Sequence, residues 1–400
     1  MSTEVTQRLP GPSGATRPRR PRWPWLVVLV LVLAVGGVAL YSWMTTPPAP
    51  QGPPAPGEAP PEPGPETTPG DEGPVVAVTA PSDGTDATEA IIEQVAAVPD
   101  GSTLLFEAGA RYRIDDTLHF EDRRDLTFDG NGAVFYTNVA GDATRQHWRF
   151  DGGLNITVHS MTVRGPYREA GVDGPWSSGQ EHQAGFHVRD VDGFTLYDVR
   201  VRRVYGDGLF LGAAQPSPSY ATWVRNVHVY DYSFNHIGRQ GIAIIAARDV
   251  LIENGYIGDT HLNVLDLEPN KTGDGYHNIT FRNNTIGPAG TKFATVGGHE
   301  GASRMHDVFI HDNTLVGTPM RTAIWWNRTA PKYNVYIEDN VSHVPSRQED
   351  PNNPNSYDWV FRCRHADNVV IRDNVQPLSE GMDLWSSQGC TQATLEGNEE

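Results

Sequence analysis

Asp266 and Glu268 are the residues whose spacing first points to chemistry. They lie in Leu265-Asp266-Leu267-Glu268, where alternation puts the two Leu side chains on one face of a strand and the two acids on the other. Same-face neighbours are separated by two rises of about 3.3 Å. That is near the range in which a carboxyl pair acts on a glycosidic bond, about 5–5.5 Å for retention and about 6.5–9.5 Å for inversion. Arg239 falls one turn earlier, where it could also neutralise a uronate carboxylate and raise the acidity of the neighbouring C–H. These three are the candidate catalytic residues. Asp207, Gln240, Asn263, Lys292 and Arg321 form a polar column at the turn entering this strand, with His261 and His299 on neighbouring turns or loops. Trp325 and Trp326 are adjacent, so one faces inward and the other offers a ring face to a sugar. Asp207, Gln240, His261, His299, Arg321 and Trp326 are thus candidate substrate-binding residues. The plainer alternative is a solvating acid pair beside a stacked hydrogen-bonding ladder.

The elements that position these residues recur. Asn226-Val227-His228-Val229 is matched by Asp249-Val250-Leu251-Ile252, and Gly241-Ile242-Ala243-Ile244 by Leu265-Asp266-Leu267-Glu268. The first strand returns at Leu126, Ile156, Phe194, Ile279, Val308, Val335 and Val369, and in degenerate form at Ala393. The second follows at one offset in five turns: Phe194 to Leu209, Val227 to Ile242, Val250 to Leu265, Ile279 to Ala294 and Val308 to Ala323. A slip of one residue would turn every inward side chain outward, so a register kept this long predicts an all-β solenoid. Asn or Asp before the first strand (Asn155, Asn278, Asp307, Asn334, Asn368) and Asn after it (Asn254, Asn283, Asn313, Asn340, Asn374) read as turn residues. In this register the outward columns are Phe210, Ala243, Asp266, Thr295 and Ile324, then Gly212, Ile245, Glu268, Gly297 and Trp326. Small residues beside the acids and larger ones farther off predict a shallow groove with the carboxylates at its floor.

This repeat resembles the pectate-lyase-like right-handed parallel β-helix superfamily, from about Val75 to the C-terminus. The superfamily includes pectate lyases, polygalacturonases, alginate-modifying enzymes and phage tailspikes. The resemblance implies the fold and a carbohydrate-related activity, with calcium if the chain is a lyase. It carries over no catalytic set. Polygalacturonases have an Asn-Thr-Asp segment, an Asp-Asp pair, Gly-His-Gly and Arg-Ile-Lys. This chain has Asn263-Val264-Leu265-Asp266 and Gly298-His299-Glu300, without the Asp-Asp pair or Arg-Ile-Lys. Tyr205-Gly206-Asp207-Gly208 only partly echoes the Tyr-Gly-x-Asp-Pro-His of alginate epimerases. Hydrolase or lyase, uronate epimerase, and non-catalytic glycan-binding or surface scaffold all remain open.

Ahead of the repeat the chain changes character three times. Residues 1–22 carry five Arg and one Glu. Residues 23–45 hold an uncharged apolar run from Trp25 to Trp43, with aromatic residues at both ends, as a single-pass signal-anchor helix with a cytoplasmic N-terminus requires. A cleaved signal peptide is the rival, since Gly37-Val38-Ala39 is a passable cleavage site. Residues 46–74 are Pro-rich and predict an extended disordered linker that holds residues 75–400 away from the membrane. The expected location is therefore the cell membrane, with the β-helix domain outside the cell and a polysaccharide or cell-wall glycan as partner. Net charge is −18 overall and −22 beyond residue 22, which argues against a nucleic-acid partner.

Pro81-Ser82-Asp83-Gly84-Thr85-Asp86 leads into an amphipathic helix over Ala87 to Val98, expected to cap the exposed end of the first turn. Cys363 and Cys390 lie about one turn apart in an exported domain, so a disulfide is expected, with two buried thiols as the alternative. The scattered His and the lack of paired Cys spacing give no zinc pattern.

Overall fold

The computed structural model describes residues 73–302, 304–324, 332–346 and 358–400. The basic tail, the apolar run, the Pro-rich stretch to residue 72, and Trp325 and Trp326 lie outside the described residues. Among the described residues no helix is long and apolar enough to cross a membrane.

The chain coils so that each turn adds one strand to each of three parallel ladders. In the first, Leu126, Ile156, Phe194, Val227, Val250, Ile279, Val308, Val335, Val369 and Ala393 stack as direct partners. A second, shorter ladder stacks Phe234, Ile257, Ile286, Leu315 and Ser342. The third runs from Leu118 through Trp148, Phe186, Leu209, Ile242, Leu265, Ala294, Thr322 and Phe361 to Trp385. Inward residues of all three meet in one core. Burying such a column turn after turn is what holds a solenoid together, because no single turn can bury its own apolar face.

The register departs from the expected one at one place. Thr322, not Ala323, pairs with Ala294, so Ala323 stands beside Thr295 and Ile324 turns into the core. The connection tightens there, with the Arg321 N–H donating to Pro319 O at 2.8 Å, and that turn uses one residue fewer.

The Asn residues serve two purposes. Asn155, Asn278, Asp307, Asn334 and Asn368, like Asn254 and Asn283, have positive φ, the left-handed conformation that short polar side chains tolerate best. Asn313, Asn340 and Asn374 do not; the positive φ falls on the preceding Asp312, Asp339 and Asp373. These three Asn point inward with Asn284 and are almost wholly buried. Each Nδ2 donates to the next Oδ1 along Asn284, Asn313, Asn340, Asn374 and Asn398, at 2.9 to 3.1 Å. The same Oδ1 atoms accept backbone N–H groups at these corners, satisfying donors that the interior would otherwise strand.

At the N-terminal end the helix Thr88–Ala97 buries Ile91 and Val95 over the first turns. Asp86 Oδ1 accepts from the Thr88 N–H at 3.1 Å and from Thr88 Oγ1 at 2.6 Å. Near the other end Cys363 and Cys390 form a disulfide, with Cα atoms 6.1 Å apart.

Candidate functional site

The third ladder brings Phe210, Ala243, Asp266 and Thr295 into one row. The corner that enters this ladder supplies Asp207, Arg239, Gln240 and Asn263. Arg239 is the hub. Its Nη1 donates to both oxygens of Asp207, at 3.2 and 3.0 Å, and its Nη2 to Glu268 Oε2 at 3.1 Å. Gln240 links the turns: its N–H donates to Asp207 Oδ1 at 3.0 Å, its Nε2 to Asp266 Oδ2 at 2.6 Å, and its Oε1 accepts from the Asn263 N–H at 2.7 Å. Asn263 passes the chain of bonds on to Thr295 at 3.1 Å and accepts from Thr291. The polar column is therefore a hydrogen-bonded network around an ion pair.

Asp266 is not at an open floor. It is only 4% exposed, because Gln240 and its row neighbours cover it, and the accessible carboxylate is Glu268, with 22% of its side chain exposed. Burial raises Asp266 well above the ordinary carboxylate range; the charge of Glu268 pushes the same way, against Arg239. Burial also raises Glu268 and Asp207, and Arg239 counters both shifts. Asp207 in turn does most to raise the guanidinium of Arg239, outweighing its burial. Three carboxyls around one guanidinium cannot all ionise at little cost, even with Lys292 nearby, and the most enclosed of them, Asp266, has its charged form penalised most.

The other expected site residues are spread out. His261 is half-buried, its Nδ1 3.4 Å from Gly171 O. His299 is exposed on the turn after the third ladder and acts electrostatically on Asp274. Arg321 and Lys292 are buried, Arg321 one position out of the expected column because of the shortened turn.

Sequence reasoning missed the insertion over residues 165–184, between the strands Leu154–Arg164 and Phe186–Arg189. It reaches across two turns, the Val172 N–H donating to Asp259 Oδ1 at 2.8 Å, and Tyr167 stacks on Tyr205 at 4.3 Å. A Cβ on Gly206 would meet Glu181 O at 2.5 Å, so the absence of a side chain lets the insertion close down beside Asp207. Its last residues bring Glu181 within electrostatic reach of Arg239 and Glu268, and His182 within reach of Asp207. The only signal in the sequence is the extra length, since the insertion lies outside the repeat.

Calcium does not fit this cluster. The guanidinium of Arg239 occupies the place between Asp207 and Glu268 that a cation would take. Among the described residues, neither set of three donors close enough to share an ion includes Asp207, Asp266 or Glu268. The outer face also carries a depression of about 400 Å³ on earlier turns, lined by Glu121, Arg149, Asp151 and Arg189, and none of the candidate catalytic residues borders it.

No family model matches the chain, and no curated protein matches it. Solved structures do. The surface protein and adhesin PfbA of Streptococcus pneumoniae is 11% identical over 81% of this chain and 97% of its own, with a TM-score of 0.53. A family 28 exopolygalacturonase of Yersinia enterocolitica is 10% identical over 81% of this chain and 79% of its own, TM-score 0.51. A hyperthermoactive exopolygalacturonase from Thermotoga maritima is 10% identical over 81% and 91%, TM-score 0.51. The fold is the pectate-lyase-like right-handed parallel β-helix. At these identities the likeness is one of fold, and this β-helix serves an adhesin as well as polygalacturonases, so the chemistry must be argued from the site.

Proposed function

We propose that this β-helix domain acts on a polysaccharide or cell-wall glycan outside the cytoplasm. In this reading Asp266 is the protonated acid, Glu268 the ionised base or nucleophile, and Arg239 the group that keeps Glu268 ionised. The observation that carries it is the cluster itself. One of its carboxyls, Asp266, is enclosed and the other, Glu268, is half-open and paired with Arg239, the unequal surroundings that acid and base roles require. Two exopolygalacturonases of the same fold support it. Arg239 commits Nη1 to Asp207 and Nη2 to Glu268, which favours hydrolysis over a lyase or epimerase step that needs a free cation for the substrate's carboxylate.

A second reading has its own support. An arginine tied to two acids is also what a structural ion pair looks like, and an adhesin shares the fold. The domain would then hold a glycan without cutting it. A panel of neutral and uronate polysaccharides, with and without calcium, separates the readings. New reducing ends mean hydrolysis, an unsaturated uronate absorbing in the ultraviolet means a lyase, and retention without either means binding alone.

The N-terminal apolar run is proposed as an uncleaved single-pass anchor, on the strength of its length and the preceding Arg cluster. The intact chain is then expected in the membrane fraction after a high-salt wash, with residues 75–400 open to external protease. A mature form beginning near Tyr41 in the medium would overturn it.

A further inference from the structure

A second cluster lies on the first ladder, apart from the third-ladder carboxylates. His277 and His306 are direct partners on adjacent turns, and Asp307 follows His306. On a regular strand His306 and Asp307 would point to opposite faces. The φ of +59° at Asp307 breaks the alternation and brings its carboxylate back to the histidines. Asp307 Oδ2 lies 2.7 Å from His306 Nδ1 and 3.3 Å from His277 Nε2.

We propose that His277, His306 and Asp307 bind a divalent transition-metal ion. Donors held about 2.0–2.1 Å from a metal stand about 3.0 Å apart at right angles and about 3.4 Å apart at tetrahedral angles. The 3.3 Å distance from Asp307 to His277 falls within that spacing, the 2.7 Å distance to His306 lies just below it, and all three donor atoms lie within 4.8 Å of one another. The outer partners that a metal site needs are also in place. Tyr220 OH is 3.3 Å from His277 Nδ1 and can accept its proton, leaving Nε2 free to ligate. Asn334 Nδ2 donates to Asp307 Oδ1 at 2.7 Å, which aims Oδ2 at the histidines. His306 is held flat against Tyr333, ring centroids 4.5 Å apart.

The charge around the cluster selects the kind of metal. Arg248 and Arg304 both stack on the Tyr220 ring, at 4.6 and 4.2 Å from its centroid. One carboxylate beside two arginines does not hold calcium or magnesium, which need several charged oxygens. Two imidazoles and a carboxylate suit cobalt, nickel, copper or zinc. The comparable set of His119, Glu121 and Asp151 is different. There Asp151 Oδ2, the oxygen nearest His119, already accepts from Arg149 at 2.7 Å and from Arg189 at 2.8 Å, while Arg189 also holds Oδ1 at 2.7 Å, so two guanidiniums stand where an ion would sit.

Co²⁺ is the probe, because its visible absorption reports the coordination. The full chain, tag-free in detergent, is expected to take up one equivalent with imidazole-type spectral bands. His277→Ala and Asp307→Asn should each weaken uptake by 10-fold or more, while His119→Ala leaves it unchanged. Asp307→Asn keeps the shape of the side chain, so it remains informative if His277→Ala melts early. No uptake by the wild type, uptake unaffected by both substitutions, or loss through His119→Ala would each overturn the assignment.

Discussion

Replacing Arg239 by Met asks how much of the ion cluster is structural. Asp207 is 2% exposed and accepts from Arg239 Nη1 and from the Gln240 N–H. Without the guanidinium its carboxylate keeps one hydrogen bond and no countercharge. Breaking a buried pair by removing one partner costs about 3–5 kcal/mol. Glu268 loses one bond but is partly solvated, which adds at most about 1 kcal/mol. Arg239→Met should therefore unfold about 3–5 kcal/mol more easily than the wild type at pH 8. The cost must also depend on pH. Asp207 already has a raised folded-state pKa, and losing Arg239 raises it further, so the variant's native state takes up a proton that its unfolded state does not. Its deficit should shrink as pH falls toward 5. Adding Asp207→Asn should restore much of the loss at pH 8, because the stranded charge goes with it. Urea unfolding of the three proteins at both pH values is the assay. A deficit under about 1 kcal/mol at pH 8, or one that does not change with pH, would refute the buried-pair reasoning.

Asp266→Asn and Glu268→Gln should each abolish turnover if the domain is a hydrolase, as initial rates on any substrate found by the panel would show. Because the folded-state pKa of Asp266 is raised, its contribution is full below the ordinary 3.8 and is lost as pH rises through the folded value; Asp266→Asn should thus melt no lower than wild type at pH 8, by calorimetry. Asn340→Ala removes the acceptor of the buried Asn313 N–H and one donor from Ile310 O, while Asn313 Nδ2 keeps Phe281 O and His311 O and Glu338 O keeps the Asp312 N–H; at about 1–3 kcal/mol for a buried orphan, denaturant melts should show a loss of about 1–3 kcal/mol. Reducing Cys363–Cys390 opens a loop of 27 residues and should cost about 3–4 kcal/mol in the chain-entropy account, read as a lower denaturation midpoint in reductant.

The fold was legible because a solenoid writes its register into the sequence many times. Ten positions of the first ladder recur along the sequence in the same local pattern, and all ten stack. A column drawn from alternation fails where a turn changes length, and it did so at the Pro319 turn, moving Ala323 beside Thr295 and shifting Arg321. It fails also where one residue type has two uses. Asn283 is a left-handed turn, whereas Asn284 next to it belongs to the buried ladder, and periodicity gives both the same place to within one residue.

The site was legible in its members and not in its burial, for a physical reason. Alternation says which side of a strand a group leaves from; it says nothing of what covers that side. Asp266 does leave the outer side, as the pairing of its row requires, yet Gln240 reaches over from the corner and takes its Oδ2. That cover turns a solvated acid pair into a graded one, with a buried carboxyl next to a half-open one. It also decides what activity would require. The Gln240 amide holds Asp266 Oδ2, so Gln240→Ala is the substitution that should open access to the acid while lowering its pKa by solvation. In a hydrolase the alkaline fall of the rate profile, set by Asp266, would then move to lower pH, while the acidic limb, set by Glu268, would stay. In a binding protein no profile exists to move, and the Gln240 bond to Asp266 is simply one rung of the network that joins the turns.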